Sequence, residues 1–386
     1  MDTKNHSFLP FAKPCLSEAA IEEVVETLKS GWITTGPRVK KFEEDLAAYV
    51  STPYVACLSS ATAGLHLALA ALNLHPGDEV ITTAFTFIAT YNTIVQAGGT
   101  PVPVDVEPGT YNLNCDLVEK AITPKTKAIV PVHFAGAPVD LDRIYDIAKK
   151  HHLRVIEDAA HAIGTEYKGK KIGSFGDTQV FSFHPNKNMT TGEGGALSSS
   201  NKAMQEFVPM ARFHGINREA WNRFAKDGSQ LYDVNMAGFK YNMMDIQAAL
   251  GIHQLKALDG FIKNRQERVA IYQEALKGIA CLSLPKAPNY DHNHAWHLYA
   301  PTIEPKIAGI DRNKLIEKMK EKNIGLGLHW QAPHLFSFYR KQFGFKEGMC
   351  PVAENIADNI FSLPLFPQMT DDEQNRVIES LKEVLK

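Results

Sequence analysis

The five cysteines (Cys15, Cys57, Cys115, Cys281 and Cys350) are few, odd in number and widely spaced. No CxxC pair or Cys/His cluster occurs, which argues against a disulfide framework or a structural zinc site. The 15 histidines show no ligand spacing beyond the adjacent His151–His152 pair, at an expected helix end, so no metal is expected. Long hydrophobic runs are also lacking. The most apolar stretch, 54–74, is broken by Ser59, Ser60, Thr62 and His66, short of an uninterrupted membrane span. The opening MDTKNHSFLPFAKP has no apolar core of signal-peptide length, so the expected location is cytoplasmic. Neither charge sign dominates: 41 basic and 43 acidic side chains leave a net charge of −2. That balance offers no basic footprint for nucleic acid or anionic membrane. Common cofactor signatures are missing as well. There is no GxGxxG after a strand, no GxxxxGK[ST], no HExxH and no GxSxG, so nicotinamide redox chemistry and P-loop hydrolysis are poorly supported.

What is present reads as a large α/β protein. At 386 residues, 44% hydrophobic and 22% charged, the chain can bury a substantial core. Short β-rich runs at 54–58, 79–82, 101–106, 128–133, 154–157 and 178–183 alternate with helical patterns, as in βα units on a mainly parallel sheet. Asp140 is placed to cap a helix whose Leu141, Ile144, Tyr145 and Ala148 share a face. After Met243 the pattern becomes helical at 244–258 and again at 261–276. A strand candidate at 295–302, a helix near 315–319 and a last helix opened by the capping box Thr370-x-x-Glu373 follow. The expected division is a large domain, 1–258, and a smaller C-terminal α+β domain, 259–386.

Three segments could carry chemistry. Ser59-Ser-Ala-Thr-Ala-Gly64 is a small-residue turn between a strand and a helix, either a plain N-cap or a place where helix-start amides meet a phosphate. Val155-Ile-Glu-Asp158-Ala-Ala-His161 ends a buried strand in an acid, which is either a cap or salt bridge, or a group pointing into a ligand crevice. Val180-Phe-Ser182-Phe-His-Pro-Asn-Lys187-Asn places a lysine just after a buried strand and ahead of the glycine-rich Thr190-Thr-Gly-Glu-Gly-Gly195. Asn188-Met-Thr190 also matches the N-glycosylation pattern, read as a chance match. Together a phosphate cradle, an acid and a lysine are the parts of a pyridoxal-phosphate site.

With these segments in view, the sequence resembles the DegT/StrS-type sugar aminotransferases, of the PLP-dependent transferase fold type I (aspartate-aminotransferase-like). The resemblance runs from Gly31-Trp-Ile-Thr-Thr-Gly-Pro37 to Ser362-Leu-Pro-Leu-Phe-Pro367, and its most specific pieces are SSATAGLHLAL, IEDAAHAIG, FSFHPNKNMTTGEGG and GFKYNMMDIQAALG. It implies pyridoxal 5'-phosphate held as a Schiff base on Lys187, with Asp158 on the pyridine nitrogen and His161 near the phenolic oxygen. It implies Thr62, Ala63 and Ser182 around the phosphate, and Phe87 stacked on the ring. Asn242 matches an asparagine that reaches a neighbouring subunit's phosphate, implying a homodimer with shared sites. The implied reaction moves nitrogen from an amino acid, glutamate by family habit, to a keto sugar.

Within the family, Val132-His-Phe-Ala-Gly-Ala-Pro138-Val-Asp-Leu, His294-Ala-Trp-His-Leu-Tyr299 and Gly325-Leu-Gly-Leu-His-Trp330 are most similar to enzymes aminating C4 of UDP-linked 4-keto sugars, including the 4-amino-4-deoxy-L-arabinose type. Spore-coat polysaccharide aminotransferases look nearly as similar. Arg212, His214, His329 and Trp330 are the substrate-side candidates, each with packing or solvation as the alternative. Rival functions are a keto-sugar dehydratase of the same fold, in which histidine replaces the lysine, and a non-catalytic regulatory relative. The lysine at 187 favours amino transfer.

Overall fold

Seven strands of the first half join one sheet: β1 (Val55–Leu58), β2 (Glu79–Thr83), β3 (Thr100–Val104), β4 (Thr126–Val130), β5 (Arg154–Asp158), β6 (Thr178–Ser182) and β7 (Gly195–Ser199). The computed structural model describes residues 7–216 and 232–386. The spatial order is β1-β7-β6-β5-β4-β2-β3, and β7 alone runs against the others. This is the expected fold type I sheet, with helices on both faces, and β1, β6 and β7 are buried along their length. Strand β4 stops at Val130, short of the expected His133, because Pro131 has no N–H to extend the ladder.

The antiparallel β7 was not anticipated. Its residues, Gly-Ala-Leu-Ser-Ser, have low β propensity; the strand exists because β1 and β6 hydrogen-bond it from both sides. The helix Ala61–Ala70 after β1 is buried on nearly every side, which its alanines and leucines tolerate. Asp140 caps the helix Leu141–Lys150 as expected, accepting from the Arg143 amide.

A single 32-residue helix, Asp245–Leu276, replaces the two expected ones. Gly260 does not break it, because that position faces open space and its neighbours keep the helical ladder. Ala248, Ile252, Leu255, Leu258 and Ile262 pack with Val39, Phe42 and Leu46. Farther along, Val269, Tyr272 and Leu276 pack with Leu315, Phe361 and Leu381 of the C-terminal part. Residue 258, the expected division, lies inside this helix.

The C-terminal part holds the helices Arg312–Glu321, Ser337–Phe343, Pro351–Asn359 and Asp371–Val384, with a small antiparallel pair, Leu282–Ser283 and Thr302–Ile303. The expected strand over 295–302 is irregular until Thr302. The capping box at Thr370 is formed in both directions: Glu373 N–H donates to Thr370 Oγ1, and Thr370 N–H donates to Glu373 Oε2. Buried polar contacts help tie the parts together. Asp105 accepts from the Val352 and Ala353 amides at a helix start. Arg265, buried without a carboxylate, donates to the carbonyls of Trp296, His297 and Leu365, and burial holds its pKa down to about 10. Among the described residues, no helix is long and apolar enough to cross a membrane.

Candidate active site

The carboxyl ends of the parallel strands meet at one edge of the sheet, the usual position of a ligand crevice in an open α/β fold. There a cavity of about 370 Å³ is lined by Thr62, Thr86, Phe87, Asp158, His161, Ser182, His184, Lys187, Glu193 and Trp330, among others. Each residue arrives by a short local path: Thr62 follows β1, Phe87 follows β2, Asp158 ends β5, Ser182 ends β6, and Lys187 lies in the loop between β6 and β7.

At the β1 turn, Ser60 caps the helix Ala61–Ala70 by accepting the Ala63 amide at 3.1 Å. The amides of Ala61 and Thr62 occupy the first two helical positions and have no intrahelical acceptor. Gly195 packs directly against this turn. A Cβ there would sit 2.4 Å from the Ala61 nitrogen and 2.5 Å from the Ser60 carbonyl carbon. The glycine is required by close backbone approach.

Asp158 is pinned through both backbone and side chain. Its amide donates to the Pro131 carbonyl, and its own carbonyl accepts the His133 amide. Its Oδ2 accepts from Thr90 Oγ1 at 2.8 Å, and Oδ1 accepts the Ala160 amide at 3.2 Å. Burial raises its pKa, while Thr90, Ala160, Lys187 and His133 act in the opposite sense. Beneath it, Glu157 accepts from Tyr145 and Gln179 and bonds His133 Nε2 at 2.9 Å. Because His133 Nδ1 accepts the Val139 amide, its proton sits on Nε2 and is donated to Glu157.

Burial pushes the Lys187 amine down to about 8, with the charge of Asp158 opposing that fall. Three buried histidines, His161, His297 and His329, surround it, each held well below the ordinary histidine range chiefly by burial. His161 Nδ1 accepts the Ala135 amide, so Nε2 carries its proton. His329 bonds Ser362 Oγ at 2.9 Å, and Trp330 lies between Phe87 and His161, 5.0 and 6.1 Å away by ring centroid.

The cavity thus gathers Thr62, Phe87, Asp158, His161, Ser182, Lys187 and Trp330, with Ala63 just behind it and His329 adjoining Trp330. It does not gather Arg212, His214 or Asn242. Arg212 is buried against Glu43 and the Cys57 carbonyl. Burial would depress its pKa, but the Glu43 carboxylate outweighs burial and raises it. His214 is exposed beside Phe213. Asn242 lines a second cavity of about 320 Å³ with Thr35, Lys40, Glu43 and Arg212. Asn188, the glycosylation match, is buried, and its side-chain amide donates to the Ala295 carbonyl. Sequence reasoning missed Thr86, Thr90, His133, Glu157 and His297. Thr86 precedes the cap of the helix Ile88–Gln96 and Thr90 lies in its first turn, so no shared helix face announced the pair.

These groups fit pyridoxal phosphate: an unobstructed helix start with nearby hydroxyls for the phosphate, a buried acid for the ring nitrogen, and an amine with depressed pKa for the aldehyde. The comparisons agree. The model of the DegT/DnrJ/EryC1/StrS aminotransferase family matches residues 14–382. The chain is 48% identical over 98% of its length, and of the relative's, to the uncharacterized protein MJ1066 of Methanocaldococcus jannaschii. It is 44% identical to the spore coat polysaccharide biosynthesis protein SpsC of Bacillus subtilis, over 100% of this chain and 99% of that one. The proposed sugar aminotransferase Spr1654 from Streptococcus pneumoniae, in its PLP form, superposes with a TM-score of 0.89 at 35% identity, covering 98% of both chains.

Proposed function

Because the chain belongs to the DegT/DnrJ/EryC1/StrS aminotransferase family and is a PLP-dependent aminotransferase, we propose that it moves an amino group from L-glutamate to C4 of a UDP-linked 4-keto sugar. The product would serve cell-surface polysaccharide or lipid modification. The observation that carries the reading is the convergence of Asp158 and Lys187, with Thr62 and Ser182, on one cavity. The sugar acceptor is supported by the Spr1654 and SpsC relatives. UDP and C4 rest on the resemblance of the segments at 132–141, 294–299 and 325–330.

In this reading Thr62, Ser182 and the amides of Ala61 and Thr62 would hold the phosphate, and the Ala63 amide, bonded to the Ser60 cap, fixes the turn. Phe87 would stack on the ring, and His161 would stand near its phenolic oxygen. Asp158 keeps the ring nitrogen protonated, since an opposite charge favours the charged form. The cofactor, when bound, supplies a carbonyl for the donor's nitrogen and a ring that accepts electron density. Lys187 Nζ would hold it and would then take and return the proton at the reacting carbon, a task suited to an amine near 8. His329 and Trp330 border the substrate side and exclude water from it.

The active unit in this proposal is a homodimer. Asn242 and Arg212 line a cavity apart from Lys187, so a phosphate contact by Asn242 requires a second subunit. Mixing Lys187→Ala with Asn242→Ala protein should restore part of the activity that each lacks alone; failure to complement overturns the shared site. For the reaction, UDP-, dTDP- and GDP-4-keto sugars are offered with glutamate and the product's stereochemistry read by NMR. Amination at C4 of the UDP sugar is expected, and amination at C3, or of another nucleotide's sugar alone, overturns the assignment.

A further inference from the structure

A second hydroxyl, at the wall of the pocket, stands in line with the one that touches Asp158. Thr90 Oγ1 donates its only proton to Asp158 Oδ2 at 2.8 Å, and Thr86 Oγ1 lies 2.9 Å from Thr90 Oγ1. With the Thr90 proton committed, Thr86 must be the donor of that contact. All three side chains are buried, so water does not compete for these bonds. We propose that Thr90, backed by Thr86, is a positioning residue that keeps the proton on the cofactor's ring nitrogen rather than on Asp158. This rests on the role assigned to Asp158 above.

The argument is a proton balance. A carboxylate and a pyridine nitrogen sharing one proton have two arrangements, an ion pair or a neutral pair. A hydroxyl donated to the carboxylate stabilises its anion and hence the ion pair. Burial acts the other way on Asp158. The other groups facing the carboxylate are the Ala160 amide, the charge of Lys187, and His133, whose Nε2 proton is committed to Glu157. His161, three residues farther along the chain, is held well below the ordinary histidine range by burial. Thr90 is therefore the side-chain donor whose removal leaves the Ala160 amide and the Lys187 charge in place.

The test uses holoenzyme loaded with ¹⁵N-labelled pyridoxal phosphate, whose ring-nitrogen NMR shift separates protonated from unprotonated pyridine. Thr90→Val should move that shift toward the unprotonated position and raise the cofactor's dissociation constant roughly tenfold, about 1.4 kcal/mol. Thr90→Ser should restore both, and Thr86→Val should give a smaller change of the same sign. An unchanged ring shift in folded Thr90→Val overturns the proposal. Asp158→Asn distinguishes the two layers. If it too leaves the shift unmoved, the assignment of Asp158 fails; if it moves the shift while Thr90→Val does not, only the role of Thr90 fails.

Discussion

Replacing Asp158 by asparagine separates the two forces on Lys187. Burial lowers the amine from 10.5 to about 8, and the Asp158 charge works against that lowering. With a pKa near 8, about one amine in eleven is unprotonated at pH 7, against roughly one in three thousand at the ordinary value, so the reactive pool is about 300-fold larger. The rate at which apoenzyme captures pyridoxal phosphate, followed by stopped-flow absorbance, should rise about tenfold per pH unit and level off near pH 8. In Asp158→Asn burial persists while the opposing charge is gone, so the levelling should come at lower pH than in the wild type. Lys187→Ala should lose the pH-dependent phase. A wild-type midpoint near 10.5, or an upward move in the asparagine variant, would refute the reasoning. Linkage supplies an independent check. The folded-state pKa is depressed, so between about pH 8 and 10.5 the unfolded chain binds more protons, and apoenzyme stability should rise with pH across that window. Lys187→Met should flatten that rise.

Gly195→Ala places a methyl group within 2.7 Å of the Ala61 nitrogen, the Ser60 carbonyl carbon and the Phe181 oxygen, all backbone atoms. A loss of about 3 kcal/mol in urea unfolding, with impaired cofactor capture, is expected. Gly260→Ala, on an open helix face, should instead gain about 0.5–1 kcal/mol in the same assay. Glu157→Ala leaves His133, Tyr145 and Gln179 without their shared acceptor. Denaturant titration should show a loss of about 3 kcal/mol or more, and a loss under 1 would contradict the account of that network.

The legible parts of the site are those whose signal is local. Asp158 and Lys187 each lie within a few residues of an apolar run, so a strand and its ending predict where they emerge. Ser60 and Asp140 are caps whose partners are three residues on. Thr90 was not legible, since its bond to Asp158 spans 68 residues of chain. Strand β7 was hidden for a similar reason: its small residues become a strand only between two neighbours. The single long helix escaped because Gly260 reads as a breaker, yet an exposed glycine costs only about 1 kcal/mol relative to alanine. Arg212 drew interest as a cation, but Glu43, 169 positions away, already claims it.

The helix Asp245–Leu276 also limits how the protein can evolve in length. Its first residue accepts the Arg38 and Val39 amides, and twenty positions later Arg265 holds three carbonyls of the C-terminal part. Inserting or deleting one residue between them would turn everything downstream by about 100° and shift it by about 1.5 Å. Both anchors could not then be satisfied together. Insertions should therefore be tolerated in the loops at either end of this helix and rejected within it, making its length a fixed ruler between the two halves.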